Sequence, residues 1–246
     1  MYQFFIEDEN VADDFVTIVG NDVNHIKNVL RMKPGEKVRV STKNGRNFFC
    51  GIADITDCFV CAKILEEDAG GTELPCRITL FQGLPKNDKM EWIIQKAVEL
   101  GVYEVIPVSM KNCVVRLDEK KAKSKVTRWQ AISESAAKQS KRSLIPEVKM
   151  PMPYPEALSY AEKFDVKLVP YENEHGMAGT KKAVEQIKKG DSIAVFIGPE
   201  GGFAPEEITI LSNQMQLISL GKRILRTETA GMATLAILGY HLESIM

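Results

Sequence analysis

The chain has 246 residues, a formal net charge of −1, and 44% apolar and 26% charged residues. That length holds one large domain or two small ones with ample material for a buried core, and near-neutrality argues against indiscriminate binding to polyanions. No apolar run approaches the roughly 20 residues of a membrane span, and the start, Met1-Tyr2-Gln3-Phe4-Phe5, lacks the basic residues and cleavage site of a secretory leader. Five cysteines, an odd number scattered through strand-like runs, argue against a disulfide framework. A reducing, cytoplasmic setting is expected, with no membrane partner.

The first seventy residues read as short strands. Residues 15–19, 37–40, 47–50 and 59–65 are apolar or alternating runs, separated by turn signals at Lys33-Pro34-Gly35, Lys43-Asn44-Gly45 and 54–57. Asn44-Gly45 between two such runs predicts a hairpin. One or two helical turns are expected within 22–31, capped by Asp22, with Val23, Ile26, Val29 and Leu30 on one side. This half, residues 1–70, reads as a small β-barrel, and 67–72 as a linker.

From Cys76 onward strands and helices alternate. Strands are expected at 77–82, 103–108, 166–171, 192–197 and 217–220, with helices between them. In the helix over 88–100, Asp88 and Glu91 have capping-box spacing, Met90, Ile93, Ile94, Ala97 and Val98 mark the inner face, and Gly101 supplies the stop. Alternation of this kind implies an α/β domain with a mostly parallel sheet over 73–246. Charge is uneven: residues 111–149 hold eleven basic and four acidic side chains, a local balance of 11 − 4 = +7. Such a run is a solvated helix face or, on a near-neutral protein, the surface of a selective RNA binder.

The most informative stretch is 193–203 together with 217–238. An apolar strand runs into Gly198-Pro199-Glu200-Gly201-Gly202-Phe203, and a second, expected to neighbour it, ends at Gly221. In an open α/β sheet, ligands favour the carboxyl ends of the strands. The first loop reads either as a tight strand-to-helix turn or as a ligand loop. It lacks the glycine spacing and Lys-Ser/Thr ending of phosphate-cradling loops, which disfavours dinucleotides and nucleoside triphosphates. Glu200 either bonds a ligand or caps the following turn. The second loop, Lys222-Arg223-Ile224-Leu225-Arg226-Thr227-Glu228-Thr229-Ala230, offers backbone that can surround a flat apolar group, and its threonines suit a helix N-cap. The last helix, over 229–245, is apolar on most sides and small on one, which implies cover from a second subunit.

The two loops, Ile197 to Phe203 and Leu220 to Ala230 in the residues just quoted, resemble the knotted SPOUT-class RNA methyltransferases. More narrowly, the chain resembles the bacterial small-subunit ribosomal RNA methyltransferase E family, which methylates N3 of a uridine in 16S RNA. The likeness spans nearly the whole chain, including residues 25–31, Gly35, residues 86–101 and Gln139-Ser140-Lys141-Arg142. It implies an N-terminal PUA-like β-barrel that binds RNA, an α/β domain with a trefoil knot, and a homodimer. It also implies 16S rRNA as partner, within the 30S subunit, and S-adenosylmethionine as cofactor. The cofactor would be held by Leu168, Pro170, Tyr171 and Glu172, by Ile197, Gly198, Pro199, Glu200 and Gly201, and by Ser219, Leu220, Gly221, Ile224, Leu225, Arg226, Thr229 and Ala230. Arg31, Lys86, Lys96, Arg116, Gln139 and Arg142 resemble family positions that line an RNA groove, and a steep salt dependence of binding is expected.

The implied chemistry fits these residue types. Methyl transfer from a sulfonium needs no metal; it needs alignment and exclusion of water. Uracil N3–H is weakly acidic, so a cation that stabilises the uracil anion helps, and Arg226 is the catalytic candidate. The other reading of Arg226 is a salt bridge to Glu228 or to the partner chain. Two rival functions stand beside this one: the same fold acting on a different RNA position, and a non-catalytic RNA-binding ribosome-assembly factor. Cys58 and Cys61 have no second pair at ligand spacing, so no metal site is expected. His25, His175 and His241 have no nucleophile partner at a recognisable elbow.

Overall fold

The computed structural model describes residues 1–245. The chain divides into two compact units, one of residues 1–73 with 137–145, the other of 74–136 with 146–246.

The first unit is built on a six-stranded sheet in the order β1-β4-β5-β6-β3-β2. Its elements are β1 (Tyr2–Ile6), β2 (Val11–Ala12), β3 (Phe15–Val19), α1 (Asn21–Asn24), β4 (Lys37–Thr42), β5 (Asn47–Ile55) and β6 (Phe59–Glu67). The Asn44-Gly45 turn joins β4 to β5 as an antiparallel hairpin, with Gly45 at φ +85°. β1, absent from the expected strands, pairs parallel with β4. The sheet curls until β1 meets β3, enclosing Phe4, Val16, Ile18, Val38, Val40 and Phe48.

The helical turns expected within 22–31 are present, over α1 and the five residues that follow it. α1 gives way to a π-turn over His25–Val29, closed by a Leu30 N–H to His25 carbonyl bond. The wider turn leaves Val23 and Ile26 buried but swings Val29 outward, 65% exposed. Asp22 does not cap the helix; its carboxylate accepts from Lys138 Nζ at 3.0 and 3.1 Å. Arg31 ends the turn at φ +52°.

Residues 137–145 complete this unit through a buried polar network. Gln3 Nε2 donates to Ser41 Oγ (3.1 Å) and to the Arg142 carbonyl (2.6 Å), and Ser41 Oγ donates to Asn47 Oδ1 (2.7 Å). Asn47 Nδ2 in turn donates to Ser143 Oγ at 2.9 Å. Glu73 accepts from Arg142 Nε at 2.9 Å and from the Ser143 N–H at 2.7 Å.

The second unit is an all-parallel sheet. Its strands are β7 (Arg77–Gly83), β8 (Glu104–Ser109), β9 (Glu147–Val148), β10 (Met152–Pro153), β11 (Val166–Pro170), β12 (Ser192–Ile197) and β13 (Gln216–Ile218). They lie in the order β10-β8-β7-β12-β11-β13, with β9 beside β8. Six helices connect them: α2 (Lys89–Glu99), α3 (Glu119–Ser140), α4 (Tyr154–Ala161), α5 (Ala178–Glu185), α6 (Pro205–Gln214) and α7 (Thr227–Ser244). β7, β8 and β12 are buried almost end to end, as expected for parallel strands covered on both faces. Phe81 and Phe196 are register partners and stack with ring centroids 4.2 Å apart. After β7 the chain goes to β8 on one side, whereas β11, β12 and β13 fill the other, which creates a topological switch.

Two sequence expectations change here. β12 and the 217–220 strand are not neighbours, because β11 lies between them and pairs with both β12 and β13. Asp88 and Glu91 do not form a capping box. They receive Lys125 (3.3 Å) and Arg128 (2.7 Å) from α3 instead, while Gly101 ends the helix segment at φ +90°.

Candidate functional site

The carboxyl ends of β11, β12 and β13 and the start of α7 surround a cleft of about 470 Å³. Three devices shape it. In the parallel register Gln82 sits opposite Ile197, so Gly83 and Gly198 follow side by side where both strands end. A Cβ on Gly83 would stand 2.7 Å from Pro199 N, so only glycine lets the loop lie that close. The loop then turns back on itself, with a Gly202 N–H to Pro199 carbonyl bond of 2.9 Å and Gly202 at φ +68°. From behind, Asn112 Nδ2 donates to the Gly201 and Gly202 carbonyls at 3.1 and 3.2 Å. The tight turn and the cleft wall are therefore one object.

The second device is Thr227. Its hydroxyl donates to the Gly198 carbonyl (2.6 Å) and accepts from Gln82 Nε2 (2.9 Å), tying β7, β12 and α7 together. The helix begins here, two residues earlier than expected, with Arg226 at its N-cap and no side-chain cap; Thr229 is exposed and caps nothing. On the other side of the cleft, Thr180 of α5 bonds the Ser219 carbonyl (2.8 Å) and N–H (2.9 Å), fixing where the loop after β13 departs.

The third device is ionic. Lys89, the first residue of α2, reaches Glu200 Oε1 at 3.1 Å and Glu228 Oε2 at 3.3 Å. Glu200 also accepts from the Lys86 N–H at 3.0 Å. Burial acts to raise the Glu200 carboxyl, but the backbone N–H groups of Glu200 and Lys86 and the Lys89 ammonium outweigh it, and the net shift is downward. Bonding to Glu200, ahead of Glu228, holds the Lys89 ammonium above its usual range. Glu228 thus goes to Lys89, and the side chain of Arg226, exposed at the cleft, has no ion pair or hydrogen bond among the described residues.

The cleft brings together Pro170, Tyr171 and Glu172, then Ile197, Gly198, Pro199 and Glu200, then Leu220, Gly221, Ile224, Leu225, Arg226 and Ala230. Leu168 and Ser219 are buried behind the wall, Gly201 faces Asn112, and Thr229 stands outside. Lining residues not anticipated are Lys89, His175, Gly202, Phe203, Lys222, Arg223 and Thr227. Five of them sit inside the quoted loops and His175 lies three residues past Glu172; only folding brings in Lys89.

The residues expected to contact RNA behave differently from one another. Arg31 and Gln139 are exposed in the first unit, and Lys86 is exposed in the second. Lys96 pairs with Glu99 at 2.8 Å. Arg116 donates to the Met110 and Lys111 carbonyls. Arg142, only 3% exposed, is engaged by Glu73 and bonds within its own unit. The +7 segment is also not a free cationic stripe. Among the described residues each of its basic side chains except Lys120 has a hydrogen bond or ion pair, several with acids from outside the segment such as Asp22, Glu73, Asp88, Glu91 and Glu206.

Comparison with known proteins follows the same division. The family described as RNA methyltransferase domain matches residues 72–239, and the family described as RNA methyltransferase PUA domain matches residues 18–65. The chain is 36% identical over 231 residues to ribosomal RNA small subunit methyltransferase E of Bacillus subtilis (strain 168), covering 92% of this chain and 90% of the relative. It is 30% identical to the protein of that name from Synechocystis sp., covering 99% of this chain and 78% of the relative. The crystal structure of a ribosomal RNA small subunit methyltransferase E from Neisseria gonorrhoeae bound to S-adenosyl methionine is similar over 98% of this chain and 97% of its own, at 33% identity and a TM-score of 0.83. With that coverage by sequence, domain and fold, the chain belongs to the ribosomal RNA small subunit methyltransferase E family.

Proposed function

We propose that the chain transfers a methyl group from S-adenosylmethionine to N3 of a uridine in small-subunit ribosomal RNA. The observation that carries this reading is the cleft. Its volume falls in the roughly 300–1,000 Å³ range of cofactor sites, its walls are backbone-rich loops, and Ile224 stands at its lip 81% exposed. A large apolar side chain left bare beside a cleft suits a flat base that would cover it. Family membership and the cofactor-bound neighbour support the same cofactor.

In this reading the backbone of Leu220, Ile224 and Leu225 meets the adenine edge, with the Leu220 and Ile224 side chains on its faces. Pro170, Tyr171, Glu172, Ile197, Gly198, Pro199 and Glu200, with Gly221 and Ala230, complete the enclosure. Leu168, Gly201, Ser219 and Thr229 act from behind it, through the positions of the loops they belong to. S-adenosylmethionine supplies a methyl group already attached to a positively charged leaving group. The chain's own task is to align and to stabilise charge. Arg226 donates to a uracil carbonyl and offsets the negative charge that develops as N3 loses its proton. Its lack of a carboxylate partner keeps the guanidinium available for that role. N3 is inaccessible in a paired base, so the target uridine is single-stranded or flipped out.

The PUA unit, residues 1–70 by sequence, serves RNA binding, with the 73–246 portion as a trefoil-knotted methyltransferase. Arg31, Lys86 and Gln139 are the family positions best placed, by exposure, to meet phosphates. α7 is buried at Leu235, Leu238 and Leu242 yet exposes Tyr240 at 83%, and a second copy covering that side gives a homodimer. The chain works in the cytoplasm on 16S rRNA, as part of the 30S subunit. Methyl transfer from labelled S-adenosylmethionine to unmodified 30S subunits and to naked 16S RNA, with product nucleosides identified by mass, tests this. N3-methyluridine is the expected product; another methylated nucleoside would move the reaction to a different position or base.

A further inference from the structure

We propose that Lys222 and Arg223 form the RNA phosphate-binding element of the methyltransferase unit, gripping the backbone beside the target nucleotide at the lip of the cleft. The inference rests on the reading above that this cleft serves RNA methylation.

The most basic segment of the sequence, 111–149, has all its cations but Lys120 engaged by carboxylates or carbonyls among the described residues, as described above. A phosphate arriving there must displace a partner before it gains one. The loop 221–226 is different. It carries Lys222, Arg223 and Arg226 within five residues, all three exposed, all three lining the cleft, and none with a side-chain hydrogen bond or ion pair among the described residues. Of the cleft's own carboxylates, Glu200 is already held by Lys89 and the Lys86 N–H. Glu172 is the one left to oppose these three cations.

The loop is also shaped for this task. Its departure is fixed by the Thr180–Ser219 bonds and its return by Thr227, so its cations are presented from a fixed frame and not from a loose strand. Arg226, at the return, is adjacent to the helix start; Lys222 and Arg223, on the outward part, stand ahead of it in the chain. A nucleotide entering base-first carries its phosphates at the opening while its base goes in. Cations at the lip and one cation at the return match that polarity of a flipped nucleotide.

The test is the salt dependence of binding to a labelled single-stranded RNA that carries one uridine, with S-adenosylmethionine affinity measured alongside. Each single-strand phosphate contact contributes about 0.7 to the slope of log affinity against log salt. Lys222→Ala with Arg223→Ala should lower that slope by about 1.4 and leave cofactor affinity unchanged. Lys121→Ala with Lys123→Ala, which removes paired cations of the basic segment, should leave the slope as it is. An unaltered slope in the first double variant, or a parallel loss of cofactor affinity, overturns the assignment; the latter would give these cations to the cofactor. If the wild-type protein binds neither this RNA, naked 16S RNA nor unmodified 30S subunits, the RNA methyltransferase reading falls, and this one with it.

Discussion

Arg226 stands at the N-cap of α7 with no carboxylate of its own, because Lys89 takes Glu228. A guanidinium so placed is available to stabilise charge in the transition state, and losing one preorganised donor of that kind costs about 10²–10³ in turnover. Arg226→Ala should therefore lower kcat by that factor with S-adenosylmethionine affinity largely kept. Near-normal turnover would remove Arg226 from the chemistry. Glu200 makes a pH-dependent contribution. Its carboxyl is held below the ordinary 4.5 of a glutamate, so the ionised form is the one the fold stabilises. That contribution is complete above pH 4.5 and is lost as pH falls through the lowered value. The difference in urea midpoint between wild type and Glu200→Gln should accordingly shrink on acidification, and a constant difference across the acid range would contradict the bonding described. Residues next to one another in the loops were readable as a site from sequence, since glycines and a proline straight after an apolar strand carry their own local meaning. Lys89 and His175 were not. Lys89 comes from the connection after β7, where nothing in its neighbours marks it, and His175 lies three residues past Glu172, just beyond the stretch the resemblance marks.

At the scale of elements, the cleft depends on side chains that cross between strand ends. Thr227→Val keeps the shape but removes the hydroxyl that joins Gln82 to the Gly198 carbonyl. Stranding these buried groups should cost about 1–3 kcal/mol in unfolding free energy, measured by urea denaturation; a change within a few tenths would show the bridge to be dispensable. Strands with alternating or continuous apolar runs bounded by turns were legible, and 15–19 and 192–197 are observed with the bounds the sequence gives. β1 was not, because Tyr2–Ile6 has no turn signal before it and finds its partner, β4, some thirty-five residues away. The order of β11 between β12 and β13 was equally hidden, since periodicity shows that a strand exists but not which neighbours it takes. The helical turns within 22–31 were legible, but their pitch was not. Apolar spacing suited an α-helix, but a π-turn widened the pitch and put Val29 in solvent.

For the molecule as a whole, the proposed cofactor makes a thermodynamic demand. A ligand that binds only the folded state adds about 2.7 kcal/mol at 100 times its dissociation constant. Thermal or urea unfolding with S-adenosylmethionine at that excess should show the shift; its absence would leave an RNA-binding factor with no methyl donor. Composition alone concealed much of the electrostatics. The +7 of residues 111–149 is a true count, yet its partners Asp22, Glu73, Asp88, Glu91 and Glu206 come from elsewhere in the chain. Net charge along a sequence window records which ions are near in the chain, and folding decides which are near in space.

The first unit closes only when residues 137–145 arrive, since Gln3, Asn47 and Glu73 find their partners at Arg142 and Ser143. A ribosome makes this protein from the amino end, at about 5–20 residues per second. The strands of the barrel are therefore complete roughly 4–14 s before the segment that bonds the buried amides of Gln3 and Asn47 and the half-buried carboxylate of Glu73. During that interval the nascent barrel is a structure with an open polar seam, and its completion is timed by synthesis of the very domain that follows it.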